Sequence, residues 1–196
     1  PVNGYYGAVI AYSKVIEFKG TNKFENNEVH SIRDAQDEVE MAFGGSLVIF
    51  QDPGQPEEYT VSGIEFINSY SQHFGGAIAI FAGDFKEGGS GAKSAFVTIE
   101  NCKFTNCSSG KQGGAIRCGL ESEDRNEYDN DVKISHCQFT KCKAPEGTLY
   151  FQDGDKDGDE ETIIEYCTFE GCIGSKGSCI LCLSYKFELS HTIFRG

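Results

Sequence analysis

Short apolar segments recur along the chain, and each follows a small motif that usually contains glycine. The sequence Gly-Gly-Ala-Ile stands intact at 75–78 and again at 113–116. Four weaker copies of this Gly-Gly motif begin at Tyr6, Gly44, Gly147 and Gly177. Apolar side chains at alternate positions after each copy predict a strand with one buried face, which is entered through a corner that glycine permits.

A phenylalanine signature precedes the Gly-Gly motif at a nearly constant distance. Phe66 and Phe104 lie nine residues before their motifs, whereas Phe139 and Phe169 lie eight residues before theirs. The spacing between successive repeats shrinks from 38 residues to 25. A constant unit with insertions after the Gly-Gly strand explains both observations, because stacked coils tolerate loops of variable length along one edge.

These repeats predict an all-β fold, a right-handed parallel β-helix of about six coils. The handedness follows from the general rule for crossover connections between parallel strands. We interpret residues 1–196 as a single β-helix segment that belongs to a longer solenoid. Apolar residues at roughly helical spacing within residues 28–42, an early insertion, predict a short amphipathic helix.

The interior of the predicted solenoid consists of rows of like residues, since stacked parallel strands lie about 4.8 Å apart. The phenylalanine row comprises Phe24, Phe66, Phe104, Phe139, Phe169 and Phe194. The fourth residue of each Gly-Gly motif gives a second row, Val9, Leu47, Ile78, Ile116, Tyr150 and Ile180. Two residues further on lies a third row, Ala11, Ile49, Ile80, Cys118, Gln152 and Cys182.

An outward row lies between the second and third rows, and most of its residues are apolar. The apolar members are Ile10, Val48, Ala79, Phe151 and Leu181. Arg117 is the basic residue in this row. An exposed apolar stripe of this kind marks lateral packing or contact with a partner. The alternative is that the chain's own loops cover this face.

The two motifs resemble the GGA[ILV] and FxxN repeats of the polymorphic outer membrane proteins of chlamydiae. Similar repeats occur in large surface proteins of parasitic protists such as trichomonads. The resemblance covers about residues 5–194, and FxxN is matched literally at Phe24 to Asn27. Elsewhere the asparagine position holds Ser69, Cys107, Cys142 and Cys172, which favours a cysteine-rich protist variant. The resemblance implies a right-handed parallel β-helix in a surface-exposed, adhesin-like protein.

Charge and composition limit the classes of partner. The formal net charge is −13, and no basic cluster offers a surface for phosphate groups, which argues against nucleic acid. No apolar run approaches the roughly 20 residues of a membrane-spanning helix, so no transmembrane segment is expected. The chain begins at Pro1 without a signal-peptide pattern, as expected of a mature or excised segment.

Two acidic insertions are expected on one edge of the solenoid, and one of them contains a candidate calcium site. Residues 119–131 and 153–161 each carry a net charge of −5. The run 153–158 reads DxDxDG, but the twelfth position holds Ile164 rather than glutamate, which excludes an EF-hand. A looser calcium loop would use Asp153, Asp155, Asp157, Asp159 and Glu161. The alternative is a solvated acidic turn that keeps the protein soluble.

Nine cysteines recur in rows, and two interpretations of them differ in cellular compartment. Disulfides would suit an extracellular protein. Bridges between in-register parallel strands have poor dihedral angles, however, so we expect mostly free, buried thiols. Cys179 and Cys182 have CxxC spacing but lie along a strand, which argues against a redox motif.

The predicted function is non-catalytic. We expect a β-helix segment of a cell-surface or extracellular protein that mediates adhesion or assembly through protein or glycan surfaces, including its own ends. The sequence indicates no catalytic and no cofactor-binding residue, since its acids lie in loops rather than on a strand face. Two alternatives remain, a carbohydrate-active β-helix enzyme and a filament-forming structural subunit inside the cell.

Overall fold

The computed structural model describes residues 2–3, 7–12, 15–18, 21–31, 42–50, 57–81, 95–119, 130–152, 161–184 and 186–196. These residues form four sheets of parallel strands and contain no helix. Three of the sheets have six strands each, and the fourth has four. The fold is therefore a parallel β-helix with six coils, as the repeats predict.

The Gly-Gly sheet contains the strands that follow the Gly-Gly motifs: β2 (Val9–Tyr12), β6 (Leu47–Phe50), β10 (Ile78–Phe81), β14 (Ile116–Cys118), β17 (Leu149–Gln152) and β20 (Ile180–Leu183). Glycine is required at the corners that lead into these strands. Gly113 has a φ of 65°, a backbone angle that residues with a side chain rarely adopt. A Cβ atom on Gly76 would overlap the carbonyl oxygen of Gly114 in the next coil.

Two further sheets complete each turn. The long-strand sheet contains β3 (Val15–Phe18), β7 (Glu57–Ser62), β11 (Ala95–Glu100), β15 (Asn130–Ser135), β18 (Glu161–Glu165) and β21 (Lys186–Ser190). The Phe sheet contains β4 (Asn22–Glu25), β8 (Ile64–Ile67), β12 (Lys103–Thr105), β16 (Gln138–Thr140), β19 (Thr168–Glu170) and β22 (Ile193–Arg195). A short sheet at the following corner contains β1 (Val2–Asn3), β5 (Glu28–His30), β9 (Tyr70–Ser71) and β13 (Ser108–Ser109).

The insertions that follow the Gly-Gly strands leave the solenoid at one place, as predicted. Residues 51–56, 82–94, 120–129 and 153–160 all connect the Gly-Gly sheet to the long-strand sheet. The connection from the Phe sheet back to the Gly-Gly sheet is nearly constant in length from β8 onward, whereas the connection from β4 to β6 is longer and contains residues 32–41. Both acidic insertions therefore leave from the same edge, although most of their residues lie outside the described part of the chain.

A phenylalanine ladder runs through the core, and its six members are those of the predicted row. The rings of neighbouring coils stack nearly parallel. Their centroid separations from Phe24 to Phe194 are 5.3, 4.9, 4.8, 4.7 and 5.1 Å. Phe66, Phe104, Phe139 and Phe169 are completely buried. Stacked aromatic rings add stabilisation beyond the burial of their area.

The predicted rows are wrong at one coil. Leu149, rather than Tyr150, pairs with Ile116, and Phe151, rather than Gln152, pairs with Cys118. The cause is a corner that is one residue shorter. Gln112 pairs with Glu146, and the strand begins four residues after Gln112 at Ile116 but only three residues after Glu146 at Leu149. A slip of one residue exchanges the two faces of a strand, and Phe151 consequently lies in the core.

The helix predicted within residues 28–42 is not seen. Glu28–His30 instead forms β5, in which Val29 is buried and pairs with Val2 and Ser71 of the neighbouring coils. These parallel partners outweigh the weak local helical spacing, since burial in a ladder of strands is a tertiary effect. Residues 32–41 lie outside the described part of the chain.

Candidate functional site

The terminal coil, formed by β20, β21 and β22, exposes the side chains that the middle coils bury. Phe194 is 48% exposed and Leu189 is 42% exposed, whereas Phe169 and Ile164, their neighbours in the same rows, are both 0% exposed. Phe187 is also exposed, although its row neighbour Thr162 is buried. Among the described residues, no further coil covers the apolar rows here.

The open interior forms an apolar cavity of about 490 Å³. Ile180, Cys182, Phe187, Leu189 and Phe194 line it, together with the corner that precedes β20. In the described residues each of the three strands pairs on one side only, since each stands last in its sheet. An edge of this kind offers unpaired N–H and C=O groups beside apolar pockets, which is what an added strand recognises.

The first coil presents the opposite end of the same rows. Here β2, β3 and β4 stand first in their sheets, and Val9, Phe18 and Phe24 are only partly buried against the core. The register carries each row through the stack, so that Phe24 and Phe194 begin and end the phenylalanine ladder. Both ends of the solenoid thus offer parallel strand edges with apolar residues in matching rows.

The proposed outward stripe is largely covered. Val48 and Ala79 are completely buried and pack with Phe81 and Phe43. Ile10 is exposed and Leu181 is half-buried, both in end coils. The placement of Phe151 in the stripe is wrong, because it faces the core and Tyr150 takes the outward position beside Arg117. In the described residues the stripe is therefore interrupted at its middle coils, where Val48 and Ala79 are not exposed.

Arg117 is the centre of a polar row that the sequence did not reveal. Its guanidinium lies 4.5 Å from the ring centroid of Phe74, and its Nε donates a hydrogen bond to Gln112 Oε1 at 3.1 Å. Gln112 in turn donates to Glu146 Oε2 at 3.1 Å, and Lys176 Nζ lies 2.7 Å from Glu146 Oε1. Lys176 lowers the pKa of the Glu146 carboxyl below its ordinary value. In the sequence, Gln112, Glu146 and Lys176 can be recognised because each directly precedes a corner glycine.

This polar row joins neighbouring coils. Phe74, Gln112, Glu146 and Lys176 occupy the same bridge position in four successive coils. Arg117 is buried against the first two of them by cation–π and hydrogen-bond contacts. We interpret these contacts as coil-to-coil stabilisation.

The candidate calcium ligands lie mostly outside the described residues. Asp153, Asp155, Asp157 and Asp159 fall within 153–160, so their arrangement stays a prediction. Glu161 is the first residue of β18, and its carboxylate forms an ion pair with Lys186 of the next strand. Its backbone N–H donates to Asp131 Oδ1 at 2.9 Å. The described residues contain no group of three or more acidic, histidine or cysteine side chains able to hold a metal ion.

All nine cysteines are free thiols, and six of them are buried, which agrees with the expectation of mostly free, buried thiols. Two rows contain three each. Cys102, Cys137 and Cys167 stand two residues before a ladder phenylalanine, and Cys107, Cys142 and Cys172 stand three residues after one. Each of these thiols donates to backbone carbonyls, as Cys137 Sγ does to Ser135 O at 3.3 Å. They act as small core residues with a satisfied S–H group.

In comparisons with known proteins, no family model, no curated protein and no solved structure matches this chain. The resemblance of the repeats to surface proteins therefore stays a prediction. Among the residues that the structure describes, no helix has the length and apolar character needed to cross a membrane.

Proposed function

We propose that this chain is a non-catalytic segment of parallel β-helix that mediates assembly in a cell-surface or extracellular structural protein. The observation that carries the proposal is the register of the coils, which repeats the same apolar rows from Phe24 to Phe194 and so allows a further coil of the same repeat to stack on either end. Exposed apolar surface that is continuous with a core favours association, because covering it removes apolar area from water. The repeat motifs, through their resemblance to adhesin-like proteins, support the surface location.

The surface that fits the terminal coil best is another coil of the same repeat, and the first coil of a second copy offers one. Continuing the register across such a junction would stack Phe194 on Phe24 and extend the ladder by one ring. The same register would place Arg195 opposite Glu25, a favourable cross-strand pair. It would also place Glu188 opposite Glu17, so association should be tighter in moderate salt than in its absence.

Sedimentation equilibrium at increasing protein concentration tests this assembly. We expect the chain to associate head to tail and the variant Phe194→Glu to remain monomeric, because the charge would lie in the apolar junction. Phe96→Glu is the matched control, since Phe96 is 47% exposed but lies on β11, far from either end. Association that survives Phe194→Glu, or that Phe96→Glu abolishes equally, would contradict the proposal.

A charge exchange tests the register of the junction. Arg195→Glu should weaken association by roughly 1.5- to 5-fold, which corresponds to the about 0.2–1 kcal/mol of an exposed pair. Glu25→Arg should weaken it similarly. The double variant should recover the original affinity, because the pair is restored with its charges exchanged. Additive losses in the double variant would show that the two residues do not meet.

An intracellular filament subunit is the second candidate, and the nine free thiols favour it. Disulfides are rare in reducing compartments, so a chain that keeps its thiols suits the cytoplasm. Rapid alkylation of the protein in its source, followed by intact-mass measurement, discriminates the two. Nine alkylated cysteines favour the intracellular filament, and intermolecular or intramolecular bridges favour the extracellular assembly.

A further inference from the structure

The corner that leads into β6 is held to the corner that leads into β10 by two side chains. Ala42 stands before β6, and its N–H donates a hydrogen bond to His73 Nδ1 at 3.0 Å. Ser71 Oγ donates to the carbonyl oxygen of Ala42 at 2.9 Å. Ala42 and Ser71 are completely buried, and His73 is 8% exposed. Both polar groups of the Ala42 backbone therefore have a side-chain partner in the neighbouring corner.

The acceptor of the Ala42 N–H differs from those at the matching position of two later corners. Lys111 and Ser175 also stand directly before the bridge residue of their corner. The Lys111 N–H donates to the backbone carbonyl of His73 in the preceding corner at 2.9 Å. The Ser175 N–H donates to the backbone carbonyl of Pro145, also at 2.9 Å. A backbone carbonyl accepts at every pH, whereas an imidazole nitrogen accepts only while it is unprotonated.

The contact with Ala42 requires a neutral His73 ring. The hydrogen bond assigns the tautomer of that ring, since an accepting Nδ1 leaves the hydrogen on Nε2. Protonation would place a hydrogen on Nδ1, which would then face the Ala42 N–H, and two donors cannot form a hydrogen bond. The Ala42 N–H would be left buried without this acceptor, which weakens the contact by roughly 5- to 150-fold.

The surroundings of His73 favour its neutral form. Burial lowers the pKa of His73 below its ordinary value of 6.5, and repulsion by Lys111 lowers it further. Lys111 belongs to the following corner, residues 42–44 of the preceding corner carry no charge, and His30 on β5 contacts Glu28 instead. The contact is therefore complete above pH 6.5 and is lost as the pH falls from this unfolded-state value through the folded-state pKa.

A neighbouring hydrogen bond of the same kind does not depend on pH. The Ser31 N–H donates to Gln72 Oε1 at 3.0 Å, one residue before His73. Residues 32–41, between Ser31 and Ala42, lie outside the described part of the chain. A glutamine side chain has no titrating group. Acid should therefore act on the contact at Ala42 and leave the contact at Ser31 unchanged.

We propose that His73 is an acid-sensitive latch, which holds the corner before β6 to the corner before β10 while its ring is neutral and releases the Ala42 N–H when the ring is protonated. The carbonyl of Ala42 keeps its hydrogen bonds from Ser71 Oγ and from the Phe74 N–H in both states. The two corners should therefore loosen at one backbone group rather than separate. The inference does not depend on assembly, because all of these contacts lie within one chain.

Amide hydrogen exchange of the folded chain from about pH 8 to about pH 4, followed by NMR, tests the latch. After correction for the intrinsic exchange rate, protection of the Ala42 amide should fall by roughly 5- to 150-fold as the His73 ring is protonated. The Ser31 and Lys111 amides should keep their protection. Equal changes at all three amides, or an unchanged Ala42 amide while His73 titrates, would overturn the proposal. A neutral ring with its hydrogen on Nδ1, or a ring that stays neutral until the chain unfolds, would overturn it as well.

Asparagine variants separate the latch from a general effect of acid. His73→Asn supplies a side-chain oxygen in place of Nδ1 that accepts at every pH, so protection of Ala42 should no longer depend on pH. His73→Phe removes the acceptor and should leave the Ala42 amide weakly protected throughout; if this variant does not fold, His73→Asn decides. His136→Asn is the matched control, because His136 is exposed and its φ of 54° suits asparagine. An acid response that survives His73→Asn, or that disappears in His136→Asn, would contradict the latch.

Discussion

Replacing Phe104 with alanine removes a ring from the middle of the phenylalanine ladder, and the cost can be worked out from its neighbours. Phe104 is completely buried between Phe66 at 4.9 Å and Phe139 at 4.8 Å. Loss of a buried phenylalanine costs about 3–5 kcal/mol, and two stacked contacts place this site near the middle of that range or above. We expect a loss of about 4 kcal/mol in the free energy of unfolding.

The same substitution at the end of the ladder should cost much less. Phe194 is about half exposed and stacks on Phe169 alone, with 5.1 Å between the ring centroids. Phe194→Ala therefore removes only about half of the buried apolar area and one stacked contact, so it should cost about 2 kcal/mol or less in the free energy of unfolding. The predicted difference between the two sites is therefore about 2 kcal/mol.

Guanidinium unfolding of both variants, followed by circular dichroism at a concentration at which the chain is monomeric, measures this difference. Thr105→Ala is the control, because Thr105 is exposed next to Phe104 and its replacement should change stability by about 0.5 kcal/mol or less. Equal losses for Phe104→Ala and Phe194→Ala, or a loss below about 1 kcal/mol for Phe104→Ala, would refute the stacked core.

Further predictions follow from single contacts. Tyr59 has a buried hydroxyl without a hydrogen-bond partner among the described residues, so Tyr59→Phe should raise the free energy of unfolding by about 1 kcal/mol, and destabilisation would refute this. The Glu146 carboxyl has a pKa below its ordinary value, so its stabilising effect is complete above the unfolded-state pKa and disappears as pH falls through the folded-state pKa. In Glu146→Gln the midpoint of thermal unfolding should fall less steeply as the pH is lowered in the acid range. An unchanged pH dependence would contradict the contact with Lys176. Calcium binding by loop 153–161 would raise the midpoint of thermal unfolding. Equal midpoints, in the presence of calcium, for the unmodified chain and for the double variant Asp155→Asn plus Asp157→Asn would refute it.

The phenylalanine ladder was predictable because its spacing to the Gly-Gly motif is nearly constant, and the positive φ of Gly113 explains why that glycine marks the corner. The motif alone could not place Tyr150 and Phe151 on the correct faces of their strand. The corner before them is one residue shorter, and only the pairing with Ile116 and Cys118 reveals it. The strand at Val29 was missed for a related reason, since its partners are distant in sequence.

The candidate sites were predictable to different degrees. The row that contains Phe194 was evident from the sequence, but its exposure follows only from the absence of a strand beyond β22 in the described residues. The hydrogen bond from Arg117 to Gln112 was not foreseen, because sequence rows assign the two residues to different positions of the repeat. Their proximity depends on the width of the corner, which is a property of the backbone.

Assembly through the open coil is the central claim, and amide hydrogen exchange at low and high protein concentration tests it most directly. Alternate N–H groups of an edge strand point away from the sheet and exchange freely unless another strand covers them. We predict that protection of β20–β22 and of β2–β4 rises with concentration, while β12 in the middle of the solenoid stays unchanged. Exchange at both ends that does not depend on concentration would contradict the account.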